Sequence, residues 1–568
     1  MPITRLLMIL LMEIVLNNLK LLILILCVCI LGCTNSEDNL VENNKPSSFD
    51  ITITSISENN AVITWTKSID PEGEVVFYDV FLESKKKIDN ITELTYEFTS
   101  LEENTPYNGN VVASDALGNT VSESFIFETS INQPPTPFTV SIKSTSPYSS
   151  KIEWINSTDP EGGPIYYDVF FENNKLDTNS NNLYYDFKEL KGLKTYTGYV
   201  EAIDRSGKKT TSQFSFTTDR KIYSGTLILD SQDSIEDFGK IGYNDIQGNL
   251  IIGSLSRLTD VNNLSHLVDL RAVEGSIYVS RTNCKTLQGL EQLEITHQNG
   301  SLIIDNNQEL INLIGLNNIT KAHRVYISGN DKLENLDGLN KLKTIHTDLS
   351  IVANPLLNSL AHLSNIYIVN NQVDVGNNPS LKNLKGLENI NTTLQLNINN
   401  NLGLISLEGL ENFQSASSVS IADNEVLTDL QNLKKFKSVG SITISRNNSL
   451  INLKGLENLT SVRSKIAVVF NPNLETLQGI ENIIFDKNSN YSEFILWDSP
   501  KITNLNPLSN YTFRRGKIKI DNNKNLVDFC GLKKLFNNVS DLINDYNFAT
   551  RNGYNPNFED VKNGNCSI

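Results

Sequence analysis

Between about residues 220 and 535 an aliphatic residue recurs at Leu267, Leu290, Leu316, Leu339, Leu363, Leu387, Leu410, Leu433, Leu456, Ile480, Leu508 and Leu532. Most of the steps are 23 or 24 residues and none exceeds 28. A short fixed period marks a stacked-coil protein, in which each repeat buries its apolar side only against its neighbours. The best-formed unit runs through Val439, Ile442, Ile444, Asn447, Leu450, Leu453, Gly455 and Leu456. Its I-x-I core has period two, so the branched residues face inward and those between them face out. Three residues after the second inward position stands an asparagine: Asn307, Asn330, Asn354, Asn378, Asn401, Asn424, Asn447, Asn471 and Asn523. A coil corner buries backbone N–H and C=O groups, and an asparagine side chain offers both a donor and an acceptor to satisfy them. These nine residues are therefore read as structural.

The pattern resembles the leucine-rich repeat, and more closely the receptor L domains of growth-factor receptor ectodomains, over about residues 223 to 535. Gly248-Asn249-Leu250-Ile251-Ile252 is similar to that family's opening strand. The resemblance implies a right-handed β-solenoid and leaves the partner open. Ser499 replaces the asparagine in one coil, and the coils of Leu363, Leu433 and Leu508 lack the glycine, which leaves their turn geometry open. A solenoid needs its ends covered. SQDSIEDF at 231–238 predicts an N-terminal capping helix. At the other end an oxidised Cys530–Cys566 pair is expected outside the cytoplasm, with Cys284 a buried free thiol or a competing partner.

Upstream, landmarks repeat at an offset of 89: Trp65 and Trp154, Asp70-Pro71-Glu72-Gly73 and Asp159-Pro160-Glu161-Gly162, Tyr78 and Tyr167, Tyr107 and Tyr196, Asp115 and Asp204. Short alternating runs with turn signals between them predict two antiparallel sandwiches. An early core Trp, a Tyr-x-Val strand and a Leu-to-Tyr spacing of six resemble fibronectin type III domains, which implies a stalk role. The Asp-Pro-Glu-Gly segments read as tight turns in preference to cation sites.

At the N-terminus, Leu21–Leu31 is an apolar run after Lys20, too short to span a bilayer and suited to a signal peptide. Ile30-Leu31-Gly32-Cys33 resembles a bacterial lipobox, which implies acylation of Cys33 and a stable membrane anchor. Thr34-Asn35-Ser36-Glu37-Asp38 resembles the surface-export signal of Bacteroidota lipoproteins, so an outer-membrane, cell-surface location is expected. The domain layout is then a signal peptide (1–32), an acidic tether (33–46), two fibronectin type III-like sandwiches (47–131 and 132–219) and a leucine-rich, receptor L domain-like solenoid with caps (220–568). The fold class is mainly β.

A net charge of -17 and the lack of any extended Lys/Arg cluster, the longest run being Lys85-Lys86-Lys87, argue against nucleic acid as a partner. No zinc-protease, nucleophile-elbow, phosphate-loop or paired C-x-x-C motif occurs after the leader, and the five histidines have no metal-ligand spacing. Neither a cofactor nor a metal is expected, and the chain is read as non-catalytic. The outward strand positions are the candidate binding face: Tyr278, Tyr326, Asp374, Asn397, Asn399 and Trp497, with Asp305 and Asp521 on distant coils. Aromatics among hydrogen-bonding side chains suit a protein partner or a polysaccharide. The expected function is adhesin-like or receptor-like binding of a protein. Glycan capture for an uptake system and a solenoid glycosidase or lyase are the alternatives.

Overall fold

The computed structural model describes residues 42–568, apart from 487, 488, 490, 513, 514, 539, 540 and 543–546. The signal peptide, Cys33 and most of the tether lie outside the described residues. The described chain is mainly β: sandwiches first, then a solenoid. It parts into two compact units, one built on the first sandwich and one holding most of the second sandwich with the solenoid.

Each sandwich pairs a three-stranded with a four-stranded antiparallel sheet. In the first, Ala61–Trp65 lies between Ile51–Ile56 and Thr95–Phe98, and Phe77–Leu82 and Pro106–Ser114 are the inner strands of the other sheet. Alternation along Ala61–Trp65 sends Ala61, Ile63 and Trp65 into the core. The tyrosine corner is present twice, with Glu102 N–H donating to Tyr107 Oη at 2.8 Å and Lys191 N–H to Tyr196 Oη at 2.9 Å. The Asp-Pro-Glu-Gly segments are turns: Gly73 N–H donates to Asp70 O at 3.0 Å, and Asp70 Oδ2 accepts from the N–H groups of Glu72 and Glu74. That use of the carboxylate, in closing the turn, is the one the structure shows. The offset of 89 extends to the entry segments, where Asn43 donates to Asp115 and Asn132 to Asp204, both at 2.8 Å.

The solenoid is built on a sixteen-stranded parallel sheet that starts at Leu227–Leu229. The paired strands sit in register, so equivalent repeat positions line up as rows: Ile327 faces Ile351, then Val375, Ile398, Ile421, Ile444, Val468 and Leu496. All these residues are fully buried, as are the leucines of the periodic series. The glycines before those leucines have a specific reason. Gly289, Gly315, Gly338, Gly386, Gly409, Gly455 and Gly479 hold φ of 111–119°, and a Cβ there would lie 1.8–2.0 Å from a carbonyl oxygen of the preceding coil. Where glycine is absent the chain takes another route, a 3-10 turn, at Ala361–Leu363, Gln431–Leu433 and Asn506–Leu508.

The asparagine series forms one directed ladder. Each buried side chain donates from Nδ2 to a carbonyl of the preceding coil, as Asn330 does to Ile304 O at 3.1 Å. Each Oδ1 accepts the backbone N–H of the preceding ladder residue, as Asn354 does from Asn330 at 3.2 Å. The ladder is longer than the sequence indicated. Thr282 opens it, donating N–H and Oγ to Asn307 Oδ1, and Asn552 extends it past Asn523. It is interrupted at Ser499, whose buried Oγ has no partner and cannot reach back to the preceding coil.

Both ends are capped. The helix Gln232–Ile241, longer than the sequence segment implied, starts with a reciprocal Ser231–Ser234 capping box and buries Ile235 and Phe238 over the first coil. At the far end the short helices Lys533–Asn538 and Phe558–Asn563 pack together, and Cys530 is bonded to Cys566. Cys284 is free and buried, and desolvation pushes its thiol up to about 11.

Candidate functional site

The outward residues of the parallel strands form continuous rows because the strands pair in register over their I-x-I segments, the one shift, between Val439 and Ser441, lying ahead of that segment. One row reads Tyr278, Ile303, Tyr326, Ser350, Asp374, Asn397, Ser420, Thr443, Ala467, Ile495, Lys519. The next carries Gly376 and Asn399 beside each other and ends on Trp497 and Asp521. All six sequence-nominated face residues therefore share one surface, but they do not form one pocket. At about 4.8 Å per strand, Tyr326 stands two steps (~10 Å), Tyr278 four (~19 Å) and Trp497 five (~24 Å) from Asp374. Asp374, Asn397 and Asn399 are brought together at the centre.

The aromatics near the ends are not open platforms. Each of the three is half-buried. The Arg324 guanidinium lies over Tyr326 at 5.2 Å, and the Lys519 ammonium over Trp497 at 4.9 Å, with Phe470 packed against the same indole at 4.9 Å. Arg324, Lys519 and Phe470 were not nominated from the sequence. Phe470 occupies the left-handed corner position after a strand (φ 58°), a site visible only once the coil geometry is known.

The charged groups on the face are matched in pairs. Arg281 lies 3.6 Å from Asp305, which also accepts from Ser280 Oγ. Arg324 lies 3.9 Å from Asp348, and Lys465 3.8 Å from Glu493. Asp521 takes Arg551 Nε at 2.9 Å and Thr550 Oγ1 at 2.7 Å, and the Arg551 hydrogen bond leads in holding its carboxyl below the usual range. Of the carboxylates on the face, Asp374 is the one with no hydrogen bond or ion pair among the described residues, and desolvation by its surroundings raises its pKa; Lys519, also without an ion pair among them, lies over the Trp497 ring. Among the described residues no group of three or more His, Cys, Asp or Glu side chains is arranged to hold a metal ion. Among them, too, no helix is long and apolar enough to cross a membrane.

Comparison with known proteins gives domain content. Residues 44–130 match the fibronectin type III domain and residues 244–341 the receptor L domain. Together they give the chain the make-up of a receptor-like, cell-surface binding protein. A 141-residue stretch is 28% identical to human phosphatidylinositol phosphatase PTPRQ, covering 24% of this chain and only 6% of that protein. Among solved structures, the chain is similar to a central fibronectin-III array of RIM-binding protein (15% identity, TM-score 0.14, 31% of this chain and 69% of that one). It is also similar to a two-domain fibronectin type III segment of chicken tenascin (14%, 0.16, 30% and 99%) and to the fibronectin(III)-like modules of Clostridium thermocellum CbhA (15%, 0.15, 30% and 94%).

Proposed function

We propose that this chain is a non-catalytic cell-surface binding lipoprotein, anchored at the outer membrane through acylated Cys33, that recognises a protein partner on the outward face of its parallel sheet. The sandwiches serve as a stalk, and the tether of about 13 residues adds at most roughly 45 Å of reach. The observation that carries this reading is the face itself: a long, mostly polar surface whose outward rows run continuously from strand to strand, backed by a fully buried core. Such a shape suits the broad footprint of a protein better than the concave pocket of a small ligand.

A second reading, capture of a polysaccharide, is favoured by Tyr326 and Trp497. It is weakened by the cations over both rings, because a sugar needs the ring face that Arg324 and Lys519 occupy. A glycosidase or lyase has less support, since Asp305 and Asp521 are engaged by arginines and stand on distant coils from Asp374.

The test is a surface-protein array and a glycan array probed with the same chain. Binding to proteins that falls with Tyr326→Ala and Trp497→Ala supports the reading, and binding to glycans alone favours the second. Turnover of a polysaccharide that disappears in Asp374→Ala would sink the non-catalytic reading. For the anchor, Cys33→Ala should release the protein from membranes. Protease treatment of intact cells should cleave the solenoid, and its protection would place it inside the outer membrane.

A further inference from the structure

The centre of the face differs from its flanks in how its polar groups are satisfied. Ser350, Asp374 and Asn397 are neighbours in one cross-strand row, on strands Asp348–Val352, Gln372–Gly376 and Thr392–Asn399. No described residue makes a hydrogen bond to any of these three side chains. Next to this row some polar groups do find each other, as Ser420 Oγ finds Asn399 Oδ1 at 3.0 Å. Two residues beyond Asp374 on the same face, Gly376 presents no side chain. Gly376 is buried, and a Cβ there would lie 3.1 Å from Asn399 O and 3.9 Å from Asp374 Oδ1, so the strand beside the carboxylate carries no side chain that could cover it.

We infer that the row around Asp374 receives an arginine side chain of the protein partner, with Asp374 as its counter-ion. The inference rests on the proposed binding role of the face and names the chemistry that would recognise it. A half-buried carboxylate without a partner is costly to keep, and an incoming cation relieves that cost at the moment of binding. The acceptors are spread along the row: the Asp374 oxygens, Asn397 Oδ1 one strand spacing away and Ser350 Oγ on the other side. A planar guanidinium carries five donors in a rigid fork and can engage several of these acceptors at once, whereas an ammonium is a point donor. The other carboxylates of the face are already matched by this chain's own cations, so Asp374 is the one left to attract a cation.

The test uses the full chain, with phage-displayed random dodecapeptides as probes. Selected binders should be enriched several-fold in arginine over the input pool. Their affinity should fall at least ten-fold on Asp374→Asn, and equally when the peptide arginine is replaced by the neutral isostere citrulline. Asp331→Asn changes the same charge at an exposed corner off the face and should have no effect. Asn397→Arg, which fills the face, should abolish binding. If Asn397→Arg blocks the binders while Asp374→Asn and citrulline do nothing, the face binds but the arginine assignment is overturned. If no face variant changes any binder, the face reading falls as well. Binding that requires a divalent ion and is lost in EDTA would make Asp374 a metal ligand and also overturn the inference. Circular dichroism of the isosteric Asp374→Asn chain should match the parent and so excludes misfolding as the cause of a loss.

Discussion

Replacing Asn401 by leucine tests whether the asparagine ladder holds the coils together. The Asn401 side chain is fully buried. Its Nδ2 donates to Val375 O at 2.9 Å, and its Oδ1 accepts the backbone N–H of Asn378 at 3.1 Å. Leucine has the same branched skeleton with bulkier methyl ends, so Asn401→Leu opens no cavity and removes the polar terms, with some overpacking added. It leaves the Asn378 N–H without its acceptor and deprives the Val375 carbonyl of one donor, both in a dry core. At about 1–3 kcal/mol for each stranded group, the loss should be about 2–5 kcal/mol. Urea titration followed by far-UV circular dichroism reads it as a lower midpoint for the solenoid transition, with the sandwich transitions unmoved. A loss below about 0.5 kcal/mol would show that the corner backbone is satisfied without the ladder and would refute the role given to the whole series.

Four further outcomes follow from other parts of the chain. Ser499→Asn should repair the interrupted ladder, supplying an acceptor for Asn471 N–H, and raise stability by about 1 kcal/mol in the same titration. Reducing Cys530–Cys566, whose separation is 36 residues, should cost about 4 kcal/mol on the chain-entropy model and first expose the C-terminal cap to protease. Cys284 should resist alkylation at pH 8 in the native chain and react only on unfolding, because burial holds its thiol at about 11. Asp374→Asn should stabilise the chain at neutral pH. A carboxyl with a raised folded pKa holds its proton more tightly in the folded than in the unfolded chain, so its ionised form disfavours folding, and that penalty declines as pH falls through the folded pKa. The flanking strands bring one other titratable group, Asp348, which is held by Asn371 and Arg324, so it does not obscure the effect. Asp521 has the opposite sign: its depressed pKa means the Arg551 contribution is present above the unfolded pKa and is lost on acidification.

Much of this architecture was legible because coils repeat. The I-x-I spacing identified which residues point inward, and the asparagine spacing identified the corners, since both are set by chain geometry and not by distant contacts. Thr282 and Asn552 were missed for definable reasons. Thr282 lacks an amide but can still give N–H and Oγ to Asn307, and Asn552 follows Asn523 by 29 residues, outside the regular period. The pairing state of the face was not legible. Arg281 and Arg551 reach Asp305 and Asp521 from left-handed corner positions, and a linear pattern does not reveal which side chain turns back onto the sheet. Asp374 looked equivalent to those aspartates in the sequence. What separates it is that neither neighbouring strand supplies it with a cation.

The most direct test of the binding claim is a hydrogen-exchange footprint of the full chain with a protein retrieved from the surface-protein array. Protection concentrated on strands Asp348–Val352, Gln372–Gly376 and Thr392–Asn399 is the expected result. Protection confined to the sandwiches or to the loops between coils, with these strands unchanged, would contradict recognition by the sheet face.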